Sequence, residues 1–96
     1  MNEQNDLFKM AIDVAHYHHE RWDGTGYPKG LKGTDIPLSA RIVAIADVYD
    51  TLVNERCYKK AYSHEETMRI LNEGSGTYFD PDIIEVVNKI QNQLIR

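Results

Sequence analysis

Three histidines in four positions, His16, His18 and His19, stand just before a glycine-rich run in the stretch HYHHERWDGTGYPKG, residues 16–30. Neutral imidazole is the commonest nitrogen ligand of transition metals, and carboxylates are its frequent companions. His16 and His19, three apart, share one helical face and can clasp a single ion. The neighbours His18 and His19 diverge by about 100° on a regular helix. They can still serve one centre where the helix ends, or separate ions of a two-metal site about 3.5–4 Å apart. The alternative without metal is that imidazoles at a helix C-terminus complement its dipole and free carbonyls. Spacing alone leaves these readings open.

Two carboxylates raise a related question. Asp47 and Asp50 lie three apart in PLSARIVAIADVYDTLVN, whose apolar residues cover nearly the whole helical circumference. A charge on such a helix needs a partner, because burial without one costs several kcal/mol or shifts the pKa until the group is neutral. Arg41 on the same helix, or a helix end, would satisfy it; a metal ion is the functional alternative. Arg56, Lys59 and Lys60 follow as a basic connector interleaved with Tyr58 and Tyr62. Arg offers a bidentate fork and Lys a point charge to a phosphate, although such connectors are usually just solvated. His64, beside Ser63, reads as a surface residue.

The elements that must position these groups read as helices. Asn5 or Asp6 is the expected cap of the first, whose stripe of Leu7, Met10, Ala11, Val14 and Ala15 continues to His18 at spacings of three and four. Residues 22–37 carry Gly24, Gly26, Gly30, Gly33, Pro28 and Pro37, too many breakers for a helix interior or a regular strand. An ordered loop or lid is expected there. Ser39 is the expected cap of the second helix, which runs to about Asn54 and is buried on most sides. Ser63 and Glu66 form a capping box for a short third helix ending at Gly74 or Gly76. Asp80 with Pro81 opens a fourth, its apolar face running on through Ile83, Ile84, Val87, Ile90 and Leu94. The reading is an all-α domain of about four helices with a long Gly/Pro-rich loop between the first two.

Composition narrows the function classes. Ninety-six residues make one domain at most, burying about two-thirds of the surface exposed by the unfolded chain. Eleven basic against fifteen acidic residues give a net charge of -4, which supports neither a polymeric nucleic acid nor a membrane surface as partner. One cysteine, Cys57, rules out an internal disulfide and fits a reducing compartment. No apolar run approaches the ~20 residues of a membrane span, and MNEQND lacks a signal peptide's basic start and apolar core. A cytoplasmic location is expected.

Read together, HHERWDGTGYPKGLKGTDIPLSARIVAIADVYDTLVNERCYKKAYSHEE resembles the signature half of the HD-GYP family, metal-dependent phosphodiesterases that hydrolyse cyclic di-GMP. The likeness extends from about Ala11 to Val86, with the name-giving motif at Gly26, Tyr27 and Pro28. It implies that His18, His19 and Asp47 are metal ligands, that Arg56 and Lys59 contact substrate phosphates, and that the loop is a lid. It implies a divalent metal, iron or manganese, in a bi- or trinuclear centre in the complete domain. Cys57 stands where the family usually has proline. The His-Asp dyad of the wider superfamily is absent, because no HD dipeptide occurs and the only histidines are His16, His18, His19 and His64. The chain is therefore expected to be part of such a domain, about half of its ligand set, and inactive alone. The alternative is a non-catalytic interaction module whose loop contacts GGDEF-type diguanylate cyclases. Loss of covering helices would also favour a homodimer.

Overall fold

The computed structural model describes residues 3–54 and 60–93. It is built from four α-helices: α1 (Glu3–Tyr17), α2 (Leu38–Val53), α3 (His64–Glu73) and α4 (Pro81–Ile90). Two 3-10 turns, Gly33–Asp35 and Gln91–Gln93, lead into α2 and out of α4. The all-α reading stands, and no strand longer than the Ser75–Phe79 bridge occurs among the described residues. No helix among them is long and apolar enough to cross a membrane.

The helix ends of the second half follow their local signals. Ser63 Oγ accepts the Glu66 N–H at 3.1 Å, and the Ser63 N–H donates back to Glu66 Oε1 at 3.3 Å, closing the capping box of α3. Gly74 ends that helix with φ -84°, so backbone sign does not explain the glycine. Close packing does, since a Cβ there would lie 2.7 Å from two atoms of the Phe79 ring. Asp80 caps α4 by accepting the Asp82 N–H at 2.8 Å, with Pro81 at the first helical position. The α-helix stops at Ile90, and Leu94 lies outside the described residues.

The first half departs from expectation at its caps. Glu3 is already helical, so Asn5 and Asp6 sit inside α1 and cannot cap it. Pro37 takes the cap position of α2, with φ -53° and ψ 140°, and Ser39 falls in the first turn. Proline's fixed φ and missing N–H suit the step from extended chain into helix. Its carbonyl then accepts the Arg41 N–H at 3.1 Å.

Burial of α2 differs more. Ile45, Met68, Leu71, Phe79 and Ile84 form the core, with Val48, Tyr49, Ile83 and Val87 packed against it. Each such side chain contributes about 1.5–3 kcal/mol by leaving water. Only Ala40 and Ile45 of α2 are fully buried, while Ile42 is 47% exposed and Ala46 and Asp47 are exposed. A helix apolar all round needs neighbours all round, and the described residues supply α3 and α4 on one side and α1 along another. The stripe on α1 is likewise largely uncovered, with Leu7, Met10, Ala11 and Ala15 exposed and only Val14 and His18 half-buried; Phe8 and Ile12 beside it are exposed too.

One buried ion pair ties these pieces together. Arg41 donates from Nη1 to Asp80 Oδ2 at 2.6 Å and from Nε to the Ile36 carbonyl at 2.9 Å. The carboxylate that caps α4 thus holds the start of α2 and the end of the loop. Arg41 serves Asp80 rather than Asp47 or Asp50, and Asp50 instead accepts from the Asn54 side chain at 2.8 Å.

Candidate functional site

The site begins where α1 ends. The last helical residue is Tyr17, and the Glu20 N–H already turns back to the Tyr17 carbonyl at 3.0 Å. His18 and His19 therefore escape the 100° divergence of a regular helix, and their rings lie 3.9 Å apart between centroids with a 41° tilt. His18 is half-buried, and its Nδ1 lies 2.7 Å from the Val14 carbonyl. A carbonyl only accepts, so Nδ1 carries a proton, and in the neutral imidazole Nε2 then keeps the lone pair, the orientation in which ligating imidazoles are held.

Asp47 reaches the same place from α2. His18 and His19 line a shallow depression of about 250 Å³ together with Ala44, Asp47, Val48, Thr51 and Leu52. The sequence-predicted trio is thereby brought to one surface from positions almost thirty residues apart. Asp47 is exposed there, which removes the premise that its charge needed a buried partner. His16 stays outside the depression with its ring edge-on to Tyr17, 5.8 Å between centroids, so a His16–His19 clasp does not form around it. Imidazole, imidazole and carboxylate are a fitting donor set for a transition metal. Among the described residues, however, no three His, Cys, Asp or Glu side chains converge closely enough to hold an ion by themselves. The trio shares one surface without closing a shell of its own.

The loop behind the histidines is ordered by specific contacts. Gly26 packs onto the backbone of His19, Glu20 and Arg21, and a Cβ would collide with all three. The Tyr27 N–H donates to the His19 carbonyl at 3.3 Å, and the Tyr27 ring stacks on the His19 ring at 4.9 Å and 18°. The Tyr27–Pro28 peptide is cis. Asp23 makes a local turn, accepting the Thr25 hydroxyl at 2.6 Å and the Thr25 N–H at 3.0 Å. Those bonds, the hydroxyl's foremost, hold the Asp23 carboxyl below the usual carboxylate range. The loop base is stitched to the turn before α4 by the Trp22 N–H on the Tyr78 carbonyl and the Asp23 N–H on the Thr77 carbonyl, at 3.2 and 2.8 Å. Arg21 covers the Tyr78 ring at 4.6 Å.

Sequence reasoning passed over Glu20. Its carboxylate is buried beneath the loop, accepting the Lys29 N–H at 2.7 Å and the Leu31 N–H at 2.8 Å. The signal was available: an acidic side chain placed directly between a helix end and a glycine-rich run is a ready acceptor for loop amides. Arg56 and Lys59 lie outside the described residues.

A larger cavity of about 720 Å³ opens on another face of α2, among α3 and α4, and holds none of the trio. His64 lines it instead of standing on the surface as expected. Its Nε2–H donates to Gln91 Oε1 at 3.2 Å and its Nδ1 accepts from the Tyr49 hydroxyl at 3.0 Å. Packing of α3 against α2 draws it inward.

The sequence model of the HD domain family matches residues 1–83, and the chain belongs to that family. A probable cyclic di-GMP phosphodiesterase of Vibrio cholerae serotype O1 is 56% identical over 79 residues, 82% of this chain and 18% of the relative. A cyclic di-GMP phosphodiesterase of Thermotoga maritima is 40% identical over 88 residues, 92% of this chain and 24% of the relative. Among solved structures, a cyclic GMP-AMP-specific phosphodiesterase of V. cholerae superposes with a TM-score of 0.74 at 32% identity, over 88% of this chain and 19% of the other. The HD-GYP resemblance and the HD-type helical fold are borne out. The chain spans less than a quarter of the length of each of these proteins.

Proposed function

We propose that these 96 residues form one wall of a metal-dependent phosphodiesterase centre that hydrolyses cyclic di-GMP or a related cyclic dinucleotide. His18 and His19 donate imidazole nitrogens, and Asp47 a carboxylate oxygen, toward a divalent ion, iron or manganese. Arg56 and Lys59 meet the substrate phosphates, and the loop bearing Gly26, Tyr27 and Pro28 borders the centre. The observation that carries the reading is the meeting of His18, His19 and Asp47 in one depression, with His18 Nε2 left free by the bond from Nδ1 to Val14. The names of the relatives support the substrate class.

Held by His18, His19 and Asp47, a divalent ion would supply Lewis-acid chemistry to a phosphodiester. The chain's own residues orient the donors: Val14 sets the His18 tautomer, and Tyr27 backs the His19 ring. Since three donors do not close a shell, the chain alone is inactive, and the remaining donors lie beyond this trio. Titrating Mn²⁺ into the chain while following histidine ring signals tests the assignment. Broadening should be strongest at His18 and His19 and weaker at His16 and His64, with no turnover of cyclic di-GMP. Broadening at His16 equal to that at His18 would refute the ligand set, and turnover by the pure chain would refute its inactivity.

A second reading is supported by Tyr27, which is 61% exposed, and by the open stripe of α1. In it the loop docks onto a GGDEF-type protein and α1 pairs with a second copy. A titration in which Tyr27→Ala changes nothing, or sedimentation as a strict monomer, would count against each half.

A further inference from the structure

We infer that Glu20 is a positioning residue: by clamping two loop amides it holds the Tyr27 ring against His19 and so sets the direction of the His19 imidazole. This rests on the reading of His19 as a metal ligand, but its physical content does not. Glu20 is 4% exposed, and a buried carboxylate is tolerated only when its oxygens find donors. Both oxygens are engaged, Oε2 by Lys29 N–H and Oε1 by Leu31 N–H, and Glu20 does not line the depression that holds His18, His19 and Asp47. Bonds to an ionised acceptor are about twice as strong as neutral ones.

The clamp matters because burial fixes neither ring: the Tyr27 N–H on the His19 carbonyl anchors the backbone at one end, and the Glu20 carboxylate anchors it at the other. Tyr27 is 61% exposed and His19 is exposed, so neither is wedged in a core. What places the Tyr27 ring is the path of the backbone on either side of it. On one side Gly26 lies against the backbone of His19 and Glu20; on the other, Lys29 and Leu31 end on the Glu20 carboxylate. The donor ligand and the residue that fixes its backing ring are thus neighbours in sequence, coupled through an eleven-residue loop closure between Glu20 and Leu31.

The test uses the metal-free 96-residue chain. Stacking under Tyr27 should shift the His19 ring protons upfield. In Glu20→Gln that shift should disappear, and amide exchange at Lys29 and Leu31 should rise about 10- to 100-fold, the loss of one bond to a charged acceptor. Exchange at Leu71 in the core should not change. Tyr27→Leu, which leaves the buried carboxylate untouched, should abolish the His19 shift while Lys29 and Leu31 keep their protection. That variant keeps the test decisive if Glu20→Gln fails to fold. Persistence of the His19 shift in either variant would overturn the inference. If instead the clamp behaves as stated but Mn²⁺ spares His18 and His19 in the unmodified chain, the ligand assignment fails and the positioning role stands.

Discussion

Replacing Arg41 with methionine should be among the most damaging single changes outside the apolar core. The Arg41 side chain is 15% exposed and that of Asp80 only 3%, with 2.6 Å between the charged atoms. Methionine preserves much of the stem's packing but strands the Asp80 carboxylate, which keeps only the Asp82 N–H, and it withdraws the donor from the Ile36 carbonyl. Breaking a buried pair by removing one partner costs about 3–5 kcal/mol. Small domains hold about 5–15 kcal/mol in all, and each kcal/mol moves Tm by about 4–8 °C at this size. A fall of about 12–40 °C is therefore expected, together with a lower urea midpoint at unchanged m-value. Asp80→Asn should cost less in the Arg41→Met background than in the unmodified chain, because a neutral amide can still cap α4 without a counter-charge. A loss under about 1 kcal/mol, the worth of an exposed ion pair, would refute the claim that this pair joins α2, the loop end and α4.

Two further outcomes follow from the loop. Gly26→Ala should destabilise by about 1–3 kcal/mol in urea unfolding, because the added methyl meets backbone rather than a side chain that could turn away. Full retention of stability would mean that the loop does not pack on residues 19–21. The Asp23 turn should be acid-sensitive. Its folded pKa is depressed, so its contribution is fully present above the ordinary carboxylate value and is lost as pH falls through the folded one. Amide exchange at Thr25 should accelerate in that acidic window and not above it, and Asp23→Asn should flatten the profile.

Helix content, the capping box of Ser63 and Glu66, the Asp80–Pro81 start and the loop between α1 and α2 were legible in the sequence because each signal acts over a few residues. The candidate trio was named only through family resemblance, since spacing left His16 with His19 as open an option as His18 with His19. The end of α1 at Tyr17 brings the two adjacent rings of His18 and His19 close together, which spacing on a regular helix does not foretell. The caps of α1 and α2 were misplaced because a nearby Asn, Asp or Ser looks like a cap wherever the chain enters the helix. Other features depend on which distant groups meet. Arg41 found Asp80 thirty-nine positions away, His64 turned inward to Tyr49 and Gln91, Glu20 closed on Leu31, and Asp47 stayed open to solvent on a helix that reads as buried. Periodicity states that a face is apolar, and motif states which atoms can donate. Only tertiary packing decides what covers the face and which donors share one cavity, because both are set by contacts between elements rather than by the residues within one.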